Sequence, residues 1–214
     1  MATVAYNSWY NEVMSEAPGC LAAVAENAIR NSAIEFCERS HYHIYNHPAI
    51  NAVATTATYV FVPPANTLVV KVLQAFYNSK EIFPMTPDDL DSMYSTTDWR
   101  DRTGTPRYFT QDDELNIRLV PYPNASLASA LKLRVSLKPT RSSTTVEARI
   151  YEEYLEAIKA GSLFRLKSQT SKPYSDPVGA ANYLALFNIG IDSARDRASR
   201  GFGRAHRRVV GHYF

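Results

Sequence analysis

The chain has 214 residues, 45% of them hydrophobic, and a formal net charge of +2. That is enough for one compact body with a real core, or one body carrying an insertion. No apolar run approaches the ~18 residues of a membrane span, and Met1-Ala2-Thr3-Val4-Ala5-Tyr6 lacks the pattern of a secretory signal, so the expectation is a soluble, unsecreted protein.

Pro18-Gly19 opens the first long periodic stretch. Leu21, Val24, Ala25, Ala28, Ser32 and Phe36 recur at three- and four-residue spacing, with Glu26, Asn27, Arg30, Asn31, Glu35 and Glu38 opposite. This predicts an amphipathic helix of about 20 residues. Cys20 and Cys37 fall within it. At 1.5 Å rise per residue they lie roughly 25 Å apart, too far for a disulfide, so they are expected to be buried thiols of a reducing compartment.

Residues 42–77 change character. "HYHIYNHP", "ATYVFVPP" and "LVVKVLQAFYN" are rich in β-branched and aromatic residues and are broken by Pro and Asn, so they read as strands. Thr86-Pro87-Asp88-Asp89 has the form of a cap, a first-turn proline and first-turn acids, starting a short helix to about Tyr94. Gly104-Thr105-Pro106 is a turn. Leu115, Ile117 and Leu119 alternate with polar residues, as do Leu131, Leu133, Val135 and Leu137. Two half-buried strands paired antiparallel are the expectation.

Thr144 with Glu147 suggests a capping box. The stripe Val146, Ile150, Tyr154, Leu155 and Ile158 follows, with Gly161 as the stop. Asp176-Pro177 starts a last helix, with Val178, Ala181, Leu184, Phe187, Ile191, Ala194 and Ala198 on one face. The order helix, strands, small helix, strands, two helices makes the class α+β.

The candidate chemistry is thin. Asp112, Asp113 and Glu114 are consecutive, and consecutive residues of a loop or strand do not converge on one point, which argues against a metal-dependent nuclease. Asp88, Asp89 and Asp91 suit a helix's first turn. His41, His43 and His47 would share a strand face without a Cys or carboxylate pair nearby to complete a metal site. Cys37 lies in a helical stripe, and Gly201-Phe202-Gly203 lacks the third glycine and flanking elements of a nucleotide loop. No catalytic residue, cofactor or metal is expected.

Charge is uneven along the chain. After Asp196 there is no acid, while Arg197, Arg200, Arg204, Arg207 and Arg208 crowd the remainder. That end points to a partner, and a nucleic-acid-binding protein using the Arg-rich tail is one reading. Nucleic-acid binders usually spread bases over a folded face with interleaved aromatics, whereas here they sit in a terminal segment.

Trp99, Gly104, Pro106 and Tyr108, followed by "LNIRLVPYP", resemble a pattern of bacteriophage head-to-tail connector proteins. The segment from Tyr154 to Ala194 is similar to the closing part of portal-bound phage adaptors, through Ala160, Gly161, Leu163, Leu166, Pro173, Tyr174 and Phe187. Tyr174 stands where that pattern carries Trp. The resemblance covers about residues 99–200. It implies a helical bundle, made of a long N-terminal helix and two C-terminal helices, with an inserted β-rich module and an extended tail. The corresponding parts are 1–40, 141–199, 41–140 and 200–214.

The resemblance further implies a non-enzymatic protein of the virion head-tail junction, assembled in the host cytoplasm. It would form a homo-oligomeric, dodecameric ring under the portal protein and extend the channel for double-stranded DNA without sequence-specific binding. It would also seat the tail or nozzle protein, with no membrane partner. In that frame Arg118, Lys132, Arg134 and Lys138, with Asp112, Asp113 and Glu114, are candidates for subunit contact or the channel. Arg200, Arg204, Arg207, Arg208, Val209, Val210, Tyr213 and Phe214 become a portal-binding tail, because Arg and aromatic residues dominate binding hot spots.

Overall fold

The structure is a computed structural model and describes residues 2–94, 98–111 and 113–201. The order begins with β1 (Thr3–Ala5), a 3₁₀ turn (Tyr6–Trp9), α1 (Tyr10–Met14) and α2 (Ala22–Ser40). Five strands follow: β2 (Ile44–Asn46), β3 (Ile50–Ala52), β4 (Thr58–Val60), β5 (Thr67–Tyr77) and β6 (Lys80–Pro84). Next come α3 (Pro87–Met93), a second 3₁₀ turn (Trp99–Asp101), β7 (Thr103–Gly104), β8 (Tyr108–Thr110), β9 (Asn116–Val120) and β10 (Tyr122–Pro123). The last elements are β11 (Leu127–Pro139), β12 (Thr145–Glu147), α4 (Ala148–Lys167) and α5 (Pro177–Arg200). The fold is α+β and divides into two compact units, residues 1–43 with 138–214 and residues 44–137. Among the described residues no helix is long and apolar enough to cross a membrane.

The expected bundle led by a long N-terminal helix is corrected at its start. The chain opens on a strand, and 3₁₀ and short α turns separate that strand from α2. β1 pairs antiparallel with β12, setting Thr3, Val4 and Ala5 opposite Glu147, Val146 and Thr145. Thr and Val suit an extended, half-buried ladder. The main chain extends it, with the Ala148 N–H donating to Ala2 O at 3.0 Å and the Tyr6 N–H to Thr144 O at 3.2 Å. This pairing also removes the predicted capping box. Thr145–Glu147 is a strand, α4 begins at Ala148, and Glu147 makes no side-chain cap bond.

Within the helical unit α2 buries Ala25, Ile29, Ala33, Phe36 and Cys37. It stops at His41, a left-handed cap (φ 54°) whose N–H reaches Cys37 O at 3.0 Å. Gly161 is not a stop, because α4 runs through it to Lys167. A side chain there would meet the buried Phe187 ring of α5 at 2.8 Å, so the glycine is a packing requirement. Gly190 on α5 approaches Ala157 on α4 in the same way. α4 bends at Tyr154, whose ring packs on Phe36 and Tyr42 at 5.1 and 4.8 Å. The start of α5 is as its sequence predicts, with Asp176 Oδ1 accepting from the Gly179 N–H at 2.9 Å and Pro177 in the first turn. Its buried face is Ala180, Phe187, Ile191 and Ala194, whereas Val178 and Ala181, expected on that face, are exposed.

The second unit is one large sheet in the order β2-β11-β5-β6-β8-β9-β4, with β3 also on β11. The expected antiparallel partnership of the strands at 115–119 and 131–137 does not occur. β9 lies between β8 and β4, while β11 takes β2 and β3 on one side and β5 on the other. Tyr59, Phe61, Val72, Ile82, Phe109, Ile117, Leu119, Leu131, Leu133 and Val135 form its core. α3 is capped by Thr86, whose Oγ1 accepts from the Asp89 N–H at 3.2 Å.

Candidate assembly surfaces

The acidic stretch before β9 is a turn. Asp113 Oδ1 accepts from the N–H groups of Leu115 and Asn116, each at 2.8 Å, and Oδ2 from Asn116 Nδ2 at 2.6 Å. The Asn116 side chain, followed by the Leu115 N–H, holds the Asp113 carboxyl below its ordinary pKa. Glu114 beside it is exposed, and Asp112 lies outside the described residues.

The four candidate bases separate. Arg118 on β9 donates from Nη2 to Arg100 O at 2.8 Å, and its guanidinium stands 5.5 Å from the Trp99 ring. Lys132 is exposed on β11, and Arg134 beside it donates to Gln74 Oε1 at 3.2 Å. Asn46, His47, Gln74, Phe76, Lys132 and Arg134 border a groove of about 410 Å³. Lys138 belongs to the helical unit, where it pairs with Glu38 at 2.6 Å.

Sequence reasoning did not find the cluster around Trp99. The indole is buried with Leu90 and Val120 and donates to Asp91 Oδ1 at 2.6 Å. Arg100 pairs with Asp91 at 2.8 Å and covers the same ring at 4.3 Å, while Arg102 covers Tyr94 at 4.8 Å. The Arg100 bond, then that from Trp99, lowers the Asp91 pKa. Cation–ring contacts of this kind fix a loop to its neighbour. The available signal was a Trp followed by Arg100 and Arg102 with an acid eight residues before it.

The histidines do not converge, and among the described residues no group of three His, Cys, Asp or Glu could hold a metal. His41 caps α2 and His47 touches Pro48 O at 2.6 Å. His43 is buried, its Nε2 at 3.5 Å from Glu147 Oε2. Burial first, then the charge of Arg149, pushes the His43 pKa down to about 4, while burial raises that of Glu147. At neutral pH the His43–Glu147 contact is therefore not an ion pair. Cys20 and Cys37 are buried free thiols, and burial pushes Cys37 far up, away from nucleophilic reactivity.

A stability test follows from His43. Unfolded, it gains a proton near pH 6.5; folded, only near 4. The unfolded state binds more protons between these values, so stability is full above 6.5 and falls as pH drops toward 4. The His43 shift alone supplies a loss on the order of 2 kcal/mol between pH 7 and pH 5, and the raised pKa of Glu147 acts in the opposite sense above its ordinary 4.5, so the net loss is smaller. Urea unfolding at pH 7 and pH 5 should show this loss in the parent chain and a much smaller one in His43→Gln.

The helical unit is braced by charge. Lys159 pairs with Glu16 at 2.8 Å, Tyr183 donates to the same carboxylate, and Arg165 pairs with Glu35. Arg197 pairs with Glu153 at 3.0 Å and Arg200 with Asp196 at 3.1 Å. Val178, Leu186 and Ile189 leave α5 with an exposed apolar face. Of the residues named for the predicted portal-binding tail only Arg200 is described; Arg204, Arg207, Arg208, Val209, Val210, Tyr213 and Phe214 lie outside the described residues.

These charged and aromatic groups tie helices, turns and strands to one another, while apolar faces and strand edges point outward. The chain matches the family model of the SU10 adaptor protein over residues 5–209, and it belongs to that family, one of bacteriophage structural proteins. The comparison with curated proteins gives no match.

Proposed function

We propose that the protein is a structural adaptor of a phage head-to-tail connector. Copies would form a ring, dodecameric on the resemblance, beneath the portal protein. The ring would extend the channel for double-stranded DNA and present a platform to the tail or nozzle protein. The observation that carries this reading is the family match, which spans both compact units rather than one motif. A net charge of +2 per copy suits a channel through which DNA slides, because each phosphate neutralised adds affinity and salt dependence.

In this reading residues 204–214 anchor the ring by inserting between portal subunits. Light scattering of the isolated chain at micromolar concentration should show mainly monomer. Mixing with the portal of the same phage should give a ring on the portal in electron micrographs, since docking raises the effective concentration of neighbours. Deleting residues 204–214 should leave thermal melting unchanged and abolish docking. Full-affinity docking of the truncated chain overturns the tail's role, and failure of the intact chain to bind portal overturns the function.

A further inference from the structure

Among the described residues the large sheet ends in two open strands, β4 on one side and β2 on the other. Phe61 N–H donates to Leu115 O and Leu119 N–H to Ala57 O, so Ala57, Tyr59 and Phe61 turn their main chain toward β9. By alternation Thr58, Val60 and Val62 turn theirs away from the sheet. All three are exposed, Val60 and Val62 at 64% and 68%, while Tyr59 and Phe61 are in the core. On β2, His47 N–H donates to Leu133 O and Tyr45 lies opposite Val135, so Ile44 and Asn46 have the outward main chain. An edge with free main chain and exposed valines is a template for another strand.

We infer that β4 of one copy pairs with β2 of the next, so that the sheet continues from subunit to subunit around the ring. This rests on the ring reading and names the contact that builds it. A ring needs two different surfaces that meet head to tail and close by rotation, and the two edges are different. The strand beside β4 is preceded by a turn with exposed Asp113 and Glu114, while its base Arg118 is turned to Trp99. The strand beside β2 carries Lys132 and Arg134, and nearby acids are absent from residues 44–52. Opposite signs therefore favour β4 against β2 over either edge against itself. The faces also match: Tyr59 and Tyr45 are on the core side, and Val60 and Asn46 are on the outer side, where register keeps them in a continued sheet. Three-residue strands make a small contact, in keeping with the proposed assembly on a portal rather than in free solution.

The test uses the full chain with portal. Val60→Pro removes one outward N–H without touching the β9 ladder, a position where an edge strand accepts proline. It should melt like the parent yet lose ring occupancy on the portal by about tenfold. Val60→Cys combined with Ile44→Cys or with Asn46→Cys should give, on oxidation of assembled rings, a ladder of covalent oligomers in at least one pairing. Rings that form normally with Val60→Pro and never cross-link overturn this contact and leave the ring standing. Failure of the parent chain to form any ring on portal overturns both.

Discussion

Trp9→Ala should destabilise the helical unit by about 4 kcal/mol, the cost of emptying a large buried aromatic site. For a chain of this length that is roughly a 10 °C fall in Tm. Trp9 is fully buried, with its ring edge-on to Tyr151 of α4 at 4.6 Å and Tyr6 beside it at 6.4 Å. It closes the joint where the 3₁₀ turn, α1, α2 and α4 share one core. Its Nε1 is buried and, among the described residues, has no hydrogen-bond partner. Trp9→Phe should therefore be mild, costing under about 1.5 kcal/mol, because the ring is largely kept and an orphaned donor is lost. Far-UV circular dichroism during urea unfolding separates the two variants. Similar large losses in both would show that the indole N–H is satisfied in solution.

Gly190→Val should cost about 3 kcal/mol through overpacking. A Cβ at Gly190 would stand 2.4 Å from the Ala157 Cβ, on the opposite helix of the α4–α5 pair. Replacing glycine inside a helix ordinarily gains close to 1 kcal/mol, so the steric term must exceed the propensity gain, and at this distance it does. Gly190→Ala should thus also destabilise, despite improving local helix propensity. The reciprocal pair Gly190→Ala with Ala157→Gly returns the missing volume and should recover much of the loss. Thermal melts of the single and double variants decide it. A stabilised Gly190→Ala chain would mean that the helices separate there.

Features set by neighbouring residues were legible in the sequence. Thr86 before Pro87 and Asp176 before Pro177 place their caps because the N–H three residues on donates to the side-chain oxygen. The long periodic stretch becomes α2 for the same reason of local spacing. What failed depends on distant partners. Thr144 with Glu147 looks like a capping box until Thr3–Ala5 pairs with the strand Thr145–Glu147. Gly161 looks like a stop because a helix-ending glycine and one that admits Phe187 are identical in sequence. β9 and β11 bury Ile117, Leu119, Leu131, Leu133, Val135 and Leu137 as alternation predicts, though Leu115 is exposed and Ser136 is buried, and alternation does not say which strand lies beside which. Val178 and Ala181 fit the stripe of α5, which is apolar on both sides, so periodicity alone does not choose the buried one.

Of the candidate surface, Asp113, Glu114, Lys132 and Arg134 lie near the two strand edges. Arg118 and Lys138 are engaged elsewhere, by Trp99 and Glu38. Charge was readable, but its engagement was not, because a basic residue on a polar strand face reads the same whether its partner is water, a ring or a carboxylate.

The helical unit is assembled from the two ends of the chain, with the whole of residues 44–137 between them. On a ribosome, α2 emerges long before α4 and α5. At roughly 5–20 residues per second it must wait several seconds for its core. The strands are complete first. The face that α2 leaves bare meanwhile is dominated by Ala25, Ala28, Ser32 and Ala33 around Ile29 and Phe36. Small side chains offer little apolar area to other chains during that interval.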